Sequence, residues 1–209
     1  MNKKRKLLTP GLADQDFVRG DVPLTKQEIR CLTLCKLRLE EGSRVLDIGA
    51  GSGGLSIECA LLLGGAENPG RPGEGEVWAV ERNEEALALI DANIEKFGVG
   101  NLNLVRGEAP AALRDLDSFD RVIIGGSGGN LPAILEETYR LLVPGGVIVL
   151  NCILLQTLAE SLVQMEKQGF KEINFIQASI ARARKMGSGT ALQPLNPVFI
   201  VSAVKGVYQ

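Results

Sequence analysis

The chain has 209 residues, 45% of them hydrophobic, which fits one globular domain over residues 1–209 with a substantial core. Its formal net charge of −2 and pI of about 5.4 give no overall attraction to nucleic acid, although a local basic patch stays possible. The absence of histidine excludes Ser-His-Asp and Cys-His catalysis and removes the usual general base near neutral pH.

The four cysteines, Cys31, Cys35, Cys59 and Cys152, are predicted to be small core residues rather than metal ligands. Cys31 and Cys35 would share one face of a helix, but no histidine exists to complete a mixed metal site. No apolar run is long enough to span a membrane, and the basic residues 1–6 lack the apolar core of a signal peptide. The sequence therefore predicts a cytoplasmic protein with no metal site and no membrane contact.

The first predicted helix follows an irregular leading segment, residues 10–24, which contains two glycines and two prolines. Thr25 to Glu28 has the pattern of a capping box, with a hydroxyl at the N-cap and a carboxylate three residues later. Apolar residues then recur at helical spacing up to Gly42, which should end the helix. Leading segment and helix together span about 10–40.

The rest of the chain alternates between apolar strands and amphipathic helices. Strands are predicted near 44–49, 77–81, 102–106, 119–124, 147–151, 171–180 and 196–204, and helices near 54–63, 83–97, 109–115, 130–142 and 155–168. Residues 64–75 are rich in glycine and proline and should form a surface loop. This alternation predicts an α/β fold, a mostly parallel sheet with helices on both faces, in which the last two strands pair antiparallel.

A glycine-rich loop follows the first strand. Gly49, Gly51 and Gly54 match the dinucleotide fingerprint G-x-G-x-x-G. Such glycines let backbone N–H groups approach a ligand, and the helix N-terminus behind them adds positive potential. With Asp47 inside the strand and Gly53 in the loop, the segment is more similar to the S-adenosylmethionine (SAM) loop of class I methyltransferases, where the acid lies near the methionine ammonium group. A glycine turn without a ligand is the third interpretation.

Two features favour SAM over NAD. Five βα units followed by a strand pair are the layout of a class I methyltransferase rather than of a dehydrogenase half, and residues 142–146, Leu-Val-Pro-Gly-Gly, resemble that family's usual turn before strand five. Glu81, at the end of the second strand, could accept hydrogen bonds from both ribose hydroxyls, or be a solvated strand end. Glu108 and Ala109, after the third strand, should lie near the adenine, although Glu108 could instead cap a helix.

Gly125, Gly126 and Ser127 follow the fourth strand, where amino-group methyltransferases often have Asn or Asp, two prolines and an aromatic residue. Because no aromatic side chain is available there to stack a flipped base, methylation of a nucleic-acid base is disfavoured. Bare glycines suit a large flat substrate close to the backbone, or an anion bound by N–H groups.

Three basic residues, Arg182, Arg184 and Lys185, lie in the segment between the last two strands. Arginine suits bidentate contacts with carboxylates, so this basic cluster could bind an acidic substrate. A solvated charged loop is an equally good interpretation.

Several segments together resemble the precorrin-6B methyltransferases of the cobalamin pathway, over about residues 12–205. The matching motifs are Asp16-x2-Arg19, Val22-Pro23-Leu24-Thr25-Lys26-Gln27-Glu28-Ile29-Arg30, residues 45–53, Ile124-Gly125-Gly126-Ser127, Ala181-Arg182-x-x-Lys185-x-Gly187 and Leu195-Asn196-Pro197-Val198. The resemblance implies a class I, Rossmann-like fold with seven strands and an antiparallel last strand. It also implies SAM-dependent methylation of carbon 15 of the corrin precursor, coupled to decarboxylation of the ring C acetate, in a homotetramer. The 64–75 insertion is longer than in that family.

The resemblance also implies a set of site residues. SAM should contact Thr25, Asp47, Gly49, Ala50, Gly51, Ser52, Gly53, Glu81, Glu108 and Ala109. The tetrapyrrole substrate should contact Arg19, Gly125, Gly126, Ser127, Arg182, Arg184 and Lys185. The catalytic residue is unknown, and Asp16 and Glu108 are candidates for a general base only by their expected proximity to the cleft. An electron-rich ring carbon needs no strong base, so the protein is expected mainly to orient its two substrates.

Other functions stay open on the sequence alone. A SAM-dependent methyltransferase of RNA or protein is disfavoured by the acidic pI and the missing aromatic. An NAD-binding oxidoreductase would need a catalytic residue, and neither Tyr139 nor Tyr208 has a lysine four residues later. A non-catalytic SAM-binding module is the remaining class.

Overall fold

The computed structural model describes residues 9–64 and 75–207, and a seven-stranded sheet forms its centre. The strands of this sheet are β1 (Arg44–Ile48), β2 (Glu76–Glu81), β3 (Leu102–Arg106), β4 (Phe119–Ile124), β5 (Leu142–Cys152), β6 (Phe170–Ala178) and β9 (Val198–Lys205), in the spatial order β3-β2-β1-β4-β5-β9-β6. β9 runs antiparallel to both of its neighbours, β5 and β6, and the other strand pairs are parallel. The predicted class I methyltransferase layout is confirmed.

Five α-helices pack on this sheet: α1 (Gln27–Leu37), α2 (Gly54–Leu62), α3 (Glu84–Phe97), α4 (Leu131–Leu141) and α5 (Leu155–Gln168). Short 3-10 turns lie at Asp14–Asp16 and Ala111–Leu113, so the short helix predicted after the third strand is only a 3-10 turn. Within residues 9–64 and 75–207, no helix combines the length and the apolar character that a membrane span requires. The predicted loop at 64–75 falls almost wholly outside the described residues.

The core consists of two apolar clusters, one on each face of the sheet. α1, α2 and α3 contribute to one cluster, and α4 and α5 contribute to the other. Successive strand side chains alternate between them, so the neighbouring residues Val45 and Leu46 are both fully buried, on opposite faces. Because both faces are covered, β1 and β4 carry consecutive apolar residues that are all buried, Val45 and Leu46 in β1 and 122–124 in β4. This packing fixes where their carboxyl ends, and the loops that follow, can lie.

The start of α1 differs from the predicted capping box. The N-cap is Lys26 rather than Thr25, and in the described structure no side chain of the cap residue bonds to the helix. Instead, Oδ1 of Asp14 accepts a hydrogen bond from the backbone N–H of Gln27 at 2.9 Å. The carboxylate that caps α1 thus comes from the leading segment, 13 residues earlier, a separation at which local patterns carry no signal.

Two other boundaries were also predicted wrongly. α1 ends at Leu37 rather than at Gly42, because Arg38 adopts a left-handed conformation with φ 53°. Residues 143–146, predicted as a turn, lie within β5, where the pairing with β4 shifts between Phe119 and Arg121. The extra residues form a bulge at that point.

The basic segment predicted as a long loop is itself a hairpin of two strands, β7 (Ala181–Met186) and β8 (Gly189–Pro194). The hairpin forms a separate two-stranded sheet between β6 and β9 in the chain. Since side chains alternate along a strand, Arg182 and Arg184 point to one face and Lys185 to the other. The three basic residues therefore do not form the single cluster that the sequence suggested.

The cysteines only partly follow the prediction that they are core residues. Cys59 is fully buried and packs in the core, and burial raises the pKa of its thiol. Cys35 is exposed, Cys31 is half-buried, and Cys152 is half-buried beside the cleft described below.

Candidate active site

A cleft of about 780 Å³ opens at the carboxyl ends of the central strands, where open α/β sheets bind their ligands. Besides the loops after β1 and β4, three segments line it: residues 22–26 of the N-terminal region, 150–154 at the end of β5, and 194–196 at the end of the hairpin. A second cavity of about 200 Å³ lies between the loops after β2, β3 and β4. Both cavities are lined by Gly49 and Gly126, so they adjoin each other.

The loops after β1 and β4 pack backbone against backbone. Gly49 has φ 68°, and a Cβ there would lie only 2.6 Å from the carbonyl oxygen of Gly126. A Cβ at Gly125 would lie 2.8 Å from the carbonyl oxygen of Gly49. Gly49 therefore needs to be glycine for its backbone angle and for this close contact. The same contact gives Gly125 a structural reason to be glycine, in addition to its predicted place beneath a substrate.

Asp47 lies at the base of the cleft and is 1% exposed. Its Oδ2 accepts a hydrogen bond of 2.5 Å from the hydroxyl of Ser56, the only side chain among the described residues that donates to it. Burial raises the pKa of Asp47 to about 6; the charge of Glu81 adds to this rise, and the Ser56 hydrogen bond opposes it. A buried carboxylate with so few donors is suited to a ligand that brings a positive charge. Ser56 was not found from the sequence, because a serine in a helix gives no signal of its own.

Glu81 stands at the end of β2 and lines the smaller cavity. Its Oε2 accepts a hydrogen bond from the N–H of Gly51 at 2.9 Å, and its Oε1 accepts from the N–H groups of Arg82 and Asn83 at 2.8 and 2.9 Å. These bonds attach the glycine loop to the start of α3 and orient the carboxylate. A carboxylate offers about four acceptor positions, so this one can still accept from a ligand hydroxyl.

Glu108 and Ala109 line the same smaller cavity, and their place near the adenine stays a prediction. Glu108 makes an ion pair with Arg82, across the loops that follow β2 and β3, and both side chains are about half exposed. Arg82 was not predicted as a site residue. The one sequence feature that could have identified Arg82 is its position directly after Glu81.

A buried charge network holds the leading segment against α1 and α2. Arg30 is fully buried and donates to Glu58 at 2.6 Å, to Asp14 at 2.8 Å and to the carbonyl oxygen of Thr25. Glu58 in turn accepts from the N–H of Gly11 at 2.6 Å. Thr25 lines the cleft, so this network sets the position of one of its walls. Sequence reasoning missed the network, because a charged residue beside Ile29 suggests the solvent face of a helix.

Arg182 is engaged in ion pairs rather than exposed to the cleft. Its guanidinium donates to both carboxylate oxygens of Glu28, at 3.0 and 2.5 Å, and to Asp14 at 2.9 Å. It lines neither cavity. Its role in substrate binding stays a prediction, and in this structure Glu28 and Asp14 occupy its donors.

The other predicted substrate residues are divided between cleft and surface. Ser127 lines both cavities. Arg19, Arg184 and Lys185 are exposed and line neither, and the structure shows no ion pair for them among the described residues. Asp16, a candidate base, is likewise exposed and outside both cavities.

An apolar wall of the cleft was missed by the sequence analysis. It comprises Ile153 and Leu154, each 57% exposed, together with Leu195 and Ile180. At its base Asn151 is held by a hydrogen bond of 2.9 Å from its amide to the hydroxyl of Thr33. The one signal for this wall was an apolar triplet, residues 153–155, that continues past the end of a predicted strand.

Comparison with known proteins agrees with this geometry. Residues 16–205 match the family model described as precorrin methyltransferase domain. The chain is 40% identical over 199 residues to the probable cobalt-precorrin-6B C(15)-methyltransferase (decarboxylating) of Saccharolobus solfataricus, covering 94% of this chain and 96% of that protein. It is 36% identical over 195 residues to the cobalt-precorrin-6B C(15)-methyltransferase (decarboxylating) of Salmonella typhimurium, covering 93% and 96%.

A solved structure shows the same architecture. The precorrin-6y C5,15-methyltransferase from Geobacter metallireducens superposes with a TM-score of 0.85 at 37% identity, covering 95% of this chain and 100% of that one. The family model and these relatives cover nearly the whole length, including the glycine loop, Glu81 and the hairpin. The chain therefore belongs to the precorrin methyltransferase family.

Proposed function

We propose that the chain is a SAM-dependent C-methyltransferase of cobalamin biosynthesis. It would methylate carbon 15 of precorrin-6B or cobalt-precorrin-6B and remove the carboxyl group of the ring C acetate. The observation that carries this proposal is a buried carboxylate, Asp47, beneath a glycine loop in a chain that matches the precorrin methyltransferase domain over residues 16–205. The names of the two relatives support the choice of carbon and substrate over RNA, protein or NAD chemistry.

The residues present fit SAM in their chemistry. Asp47 would accept from the methionine ammonium, and Glu81 from one ribose hydroxyl, while Glu108 and Ala109 border a cavity that suits the adenine. Thr25 lines the larger cleft near the glycine loop. When bound, SAM supplies an electrophilic methyl group. The role of the chain is to hold the acceptor carbon in line with that group, and alignment of two reactants can lower a barrier by about 7–11 kcal/mol.

The tetrapyrrole would lie in the outer part of the cleft. Its flat apolar ring suits the wall of Ile153, Leu154 and Leu195, with the loop at 125–127 beneath it. Arg19, Arg184 and Lys185 are exposed and line neither cavity, so contacts of the tetrapyrrole's peripheral carboxylates with them would form outside the cleft. Arg182 is less suited than the other basic residues to bind a substrate carboxylate, because its donors already bond to two carboxylates of the protein.

Neither candidate base is supported by its position. Asp16 lines neither cavity, and Glu108 lies in the smaller cavity, paired with Arg82. We therefore propose that carbon 15 would accept the methyl group without a protein base. The carboxyl group would leave as carbon dioxide, and the electron pair of the broken carbon–carbon bond would pass into the conjugated ring.

The proposal includes a homotetramer. Exposed apolar side chains on the hairpin, Met186 at 64% and Leu192 at 74%, support an assembly that covers them. With a chain mass of 22.3 kDa, light scattering should give about four times this value, and Leu192→Lys should lower it. A mass of one chain for the unmodified protein would contradict the tetramer.

The cytoplasmic location stays a prediction of the sequence.

The decisive experiment is mass spectrometry of a precorrin-6B-type substrate incubated with the purified protein and SAM. Gain of one methyl group with loss of one carbon dioxide is the expected result. Asp47→Asn is the matched control for the cofactor site and should need an about 10- to 100-fold higher SAM concentration for the same yield of product. No change in the substrate, with SAM binding shown separately by calorimetry, would point to another methyl acceptor.

A further inference from the structure

We propose that Arg182 is a positioning residue, which ties the β7–β8 hairpin to the leading segment and so aligns two walls of the cleft. These walls are residues 22–26 and 194–196. The inference rests on the proposed function only in taking this cleft as the place where the tetrapyrrole binds.

The contact itself is specific. The planar guanidinium of Arg182 meets both oxygens of Glu28 in a fork, with distances of 3.0 and 2.5 Å, and one of its nitrogens also donates to Asp14 at 2.9 Å. Charge-assisted bidentate pairs of this kind fix orientation as well as distance. Glu28 and Arg182 are about two-thirds buried, and Asp14 is nearly fully buried.

Asp14 connects this contact to the buried network. Its other oxygen accepts from Arg30 at 2.8 Å and from the N–H of Gln27 at 2.9 Å. Burial alone would raise the pKa of Asp14, but the hydrogen bonds from Arg30 and Arg182 outweigh it and keep the pKa below its usual value. Arg30 also bonds to the carbonyl oxygen of Thr25. A continuous set of ionic hydrogen bonds therefore runs from the hairpin to a residue that lines the cleft.

The hairpin reaches the same cleft from its other side. Arg182 pairs across the hairpin with Gln193, next to the 194–196 wall. The base of the hairpin is closed by a hydrogen bond of 2.8 Å from the N–H of Leu195 to the carbonyl oxygen of Ile180, and both residues line the cleft. Ile180 also packs against the apolar cluster that contains Ile29, so the Arg182 contact adds a directional polar connection to this apolar one.

A direct clamp on a substrate carboxylate is the competing role for Arg182, and the two roles predict opposite effects of one substitution. If Arg182 binds the substrate, Glu28→Gln removes one of the two carboxylates that compete for its guanidinium and should tighten tetrapyrrole binding. If Arg182 positions the walls, Glu28→Gln breaks the contact and should act in the same direction as Arg182→Ala.

The test compares Glu28→Gln, Arg182→Ala, Arg182→Lys and the double variant Glu28→Gln/Arg182→Ala in the full-length protein. Turnover should fall about 10-fold in Glu28→Gln and Arg182→Ala, because small misplacements of reactants slow catalysis strongly. The double variant should be no worse than either single one, and Arg182→Lys, which keeps the charge but lacks the fork, should be intermediate. SAM affinity should stay within about 2-fold, since the glycine loop and Asp47 are unchanged.

Hydrogen exchange gives a readout that needs no substrate. Amides of residues 181–195 should exchange about 2- to 5-fold faster in both single variants, the range expected for loss of a partly exposed ion pair. Asp91→Asn, which breaks the surface pair of Asp91 with Arg106 at 2.7 Å, is the control and should change neither readout.

Two results would overturn the inference: tighter tetrapyrrole binding in Glu28→Gln together with weaker binding in Arg182→Ala, or unchanged exchange of the hairpin in both variants. If the unmodified protein methylates no tetrapyrrole, the proposed function fails. The exchange measurement still decides whether the contact positions the hairpin.

Discussion

Asp47→Asn should separate the stability of the protein from its cofactor binding. Asp47 is 1% exposed, and burial raises its pKa from 3.8 to about 6. At 1.36 kcal/mol per pH unit, its ionised form lowers the free energy of unfolding by about 3 kcal/mol at neutral pH. A buried carboxylate that destabilises the ligand-free fold is expected where a cationic ligand group later offsets its charge.

The pH dependence follows from the direction of this shift. Well below pH 3.8 the carboxyl group is protonated in both the folded and the unfolded protein, so it does not change the free energy of unfolding. Between about pH 3.8 and about pH 6 the unfolded chain ionises while the folded chain is still largely protonated, so the free energy of unfolding falls as the pH rises. Well above pH 6 the group is ionised in both states and the fall levels off. Between pH 5 and pH 8 the unmodified protein should lose about 1.4 kcal/mol through this group, and Asp47→Asn should not.

Denaturant unfolding of the SAM-free protein at pH 5 and pH 8 measures this difference, with calorimetry of SAM binding at pH 8. The variant should bind SAM about 10- to 100-fold more weakly, the usual effect of losing a hydrogen bond to a charged group. Ser56 can still donate to the new amide oxygen, so the pH dependence is more informative than the absolute stability. An equal change between the two pH values in both proteins would refute the reasoning, as would unchanged SAM affinity.

Two further substitutions test the glycine loop and the buried network. Gly49→Ala should abolish SAM binding and destabilise the fold, because a Cβ would lie 2.6 Å from the carbonyl oxygen of Gly126. Gly98→Ala is its control, because φ is a similar 64° but a Cβ there would have no atom within 4 Å. This variant should bind SAM normally in calorimetry and lose only about 1–2 kcal/mol of the free energy of unfolding. Equal losses in the two variants would mean that the contact with Gly126 does not matter. Arg30→Met leaves buried carboxylates such as Glu58 unpaired and should lower the free energy of unfolding by about 3–5 kcal/mol at pH 7. Denaturant unfolding checks this, and a loss below about 1 kcal/mol would mean that the network is dispensable.

Most of the fold was predictable from local patterns. The apolar runs of β1 and β4 and the helical periodicity of α3 and α5 gave their positions within a few residues, because each pattern follows from which side chains must be buried. The sheet layout, mostly parallel with an antiparallel last strand, also followed, since the alternation of strands and helices with a final unbroken strand pair is typical of few sheet layouts. Helix ends were less predictable, because Asp14 and Arg38 act through contacts or backbone angles that the pattern does not contain.

The candidate site divides in the same way. The sequence by itself determined the residues of the proposed cofactor end, Asp47, the glycine loop and Glu81, because a ligand-binding loop needs particular residue types at short, defined spacing. Only the tertiary structure decided the surroundings of the proposed substrate end. The partners of Arg182 lie 154 and 168 residues away in the chain, and the apolar wall joins residues that follow β5 to residues that flank the hairpin. A side chain's charge is known from the sequence, but the group that neutralises it depends on which surfaces the packed helices and strands bring together.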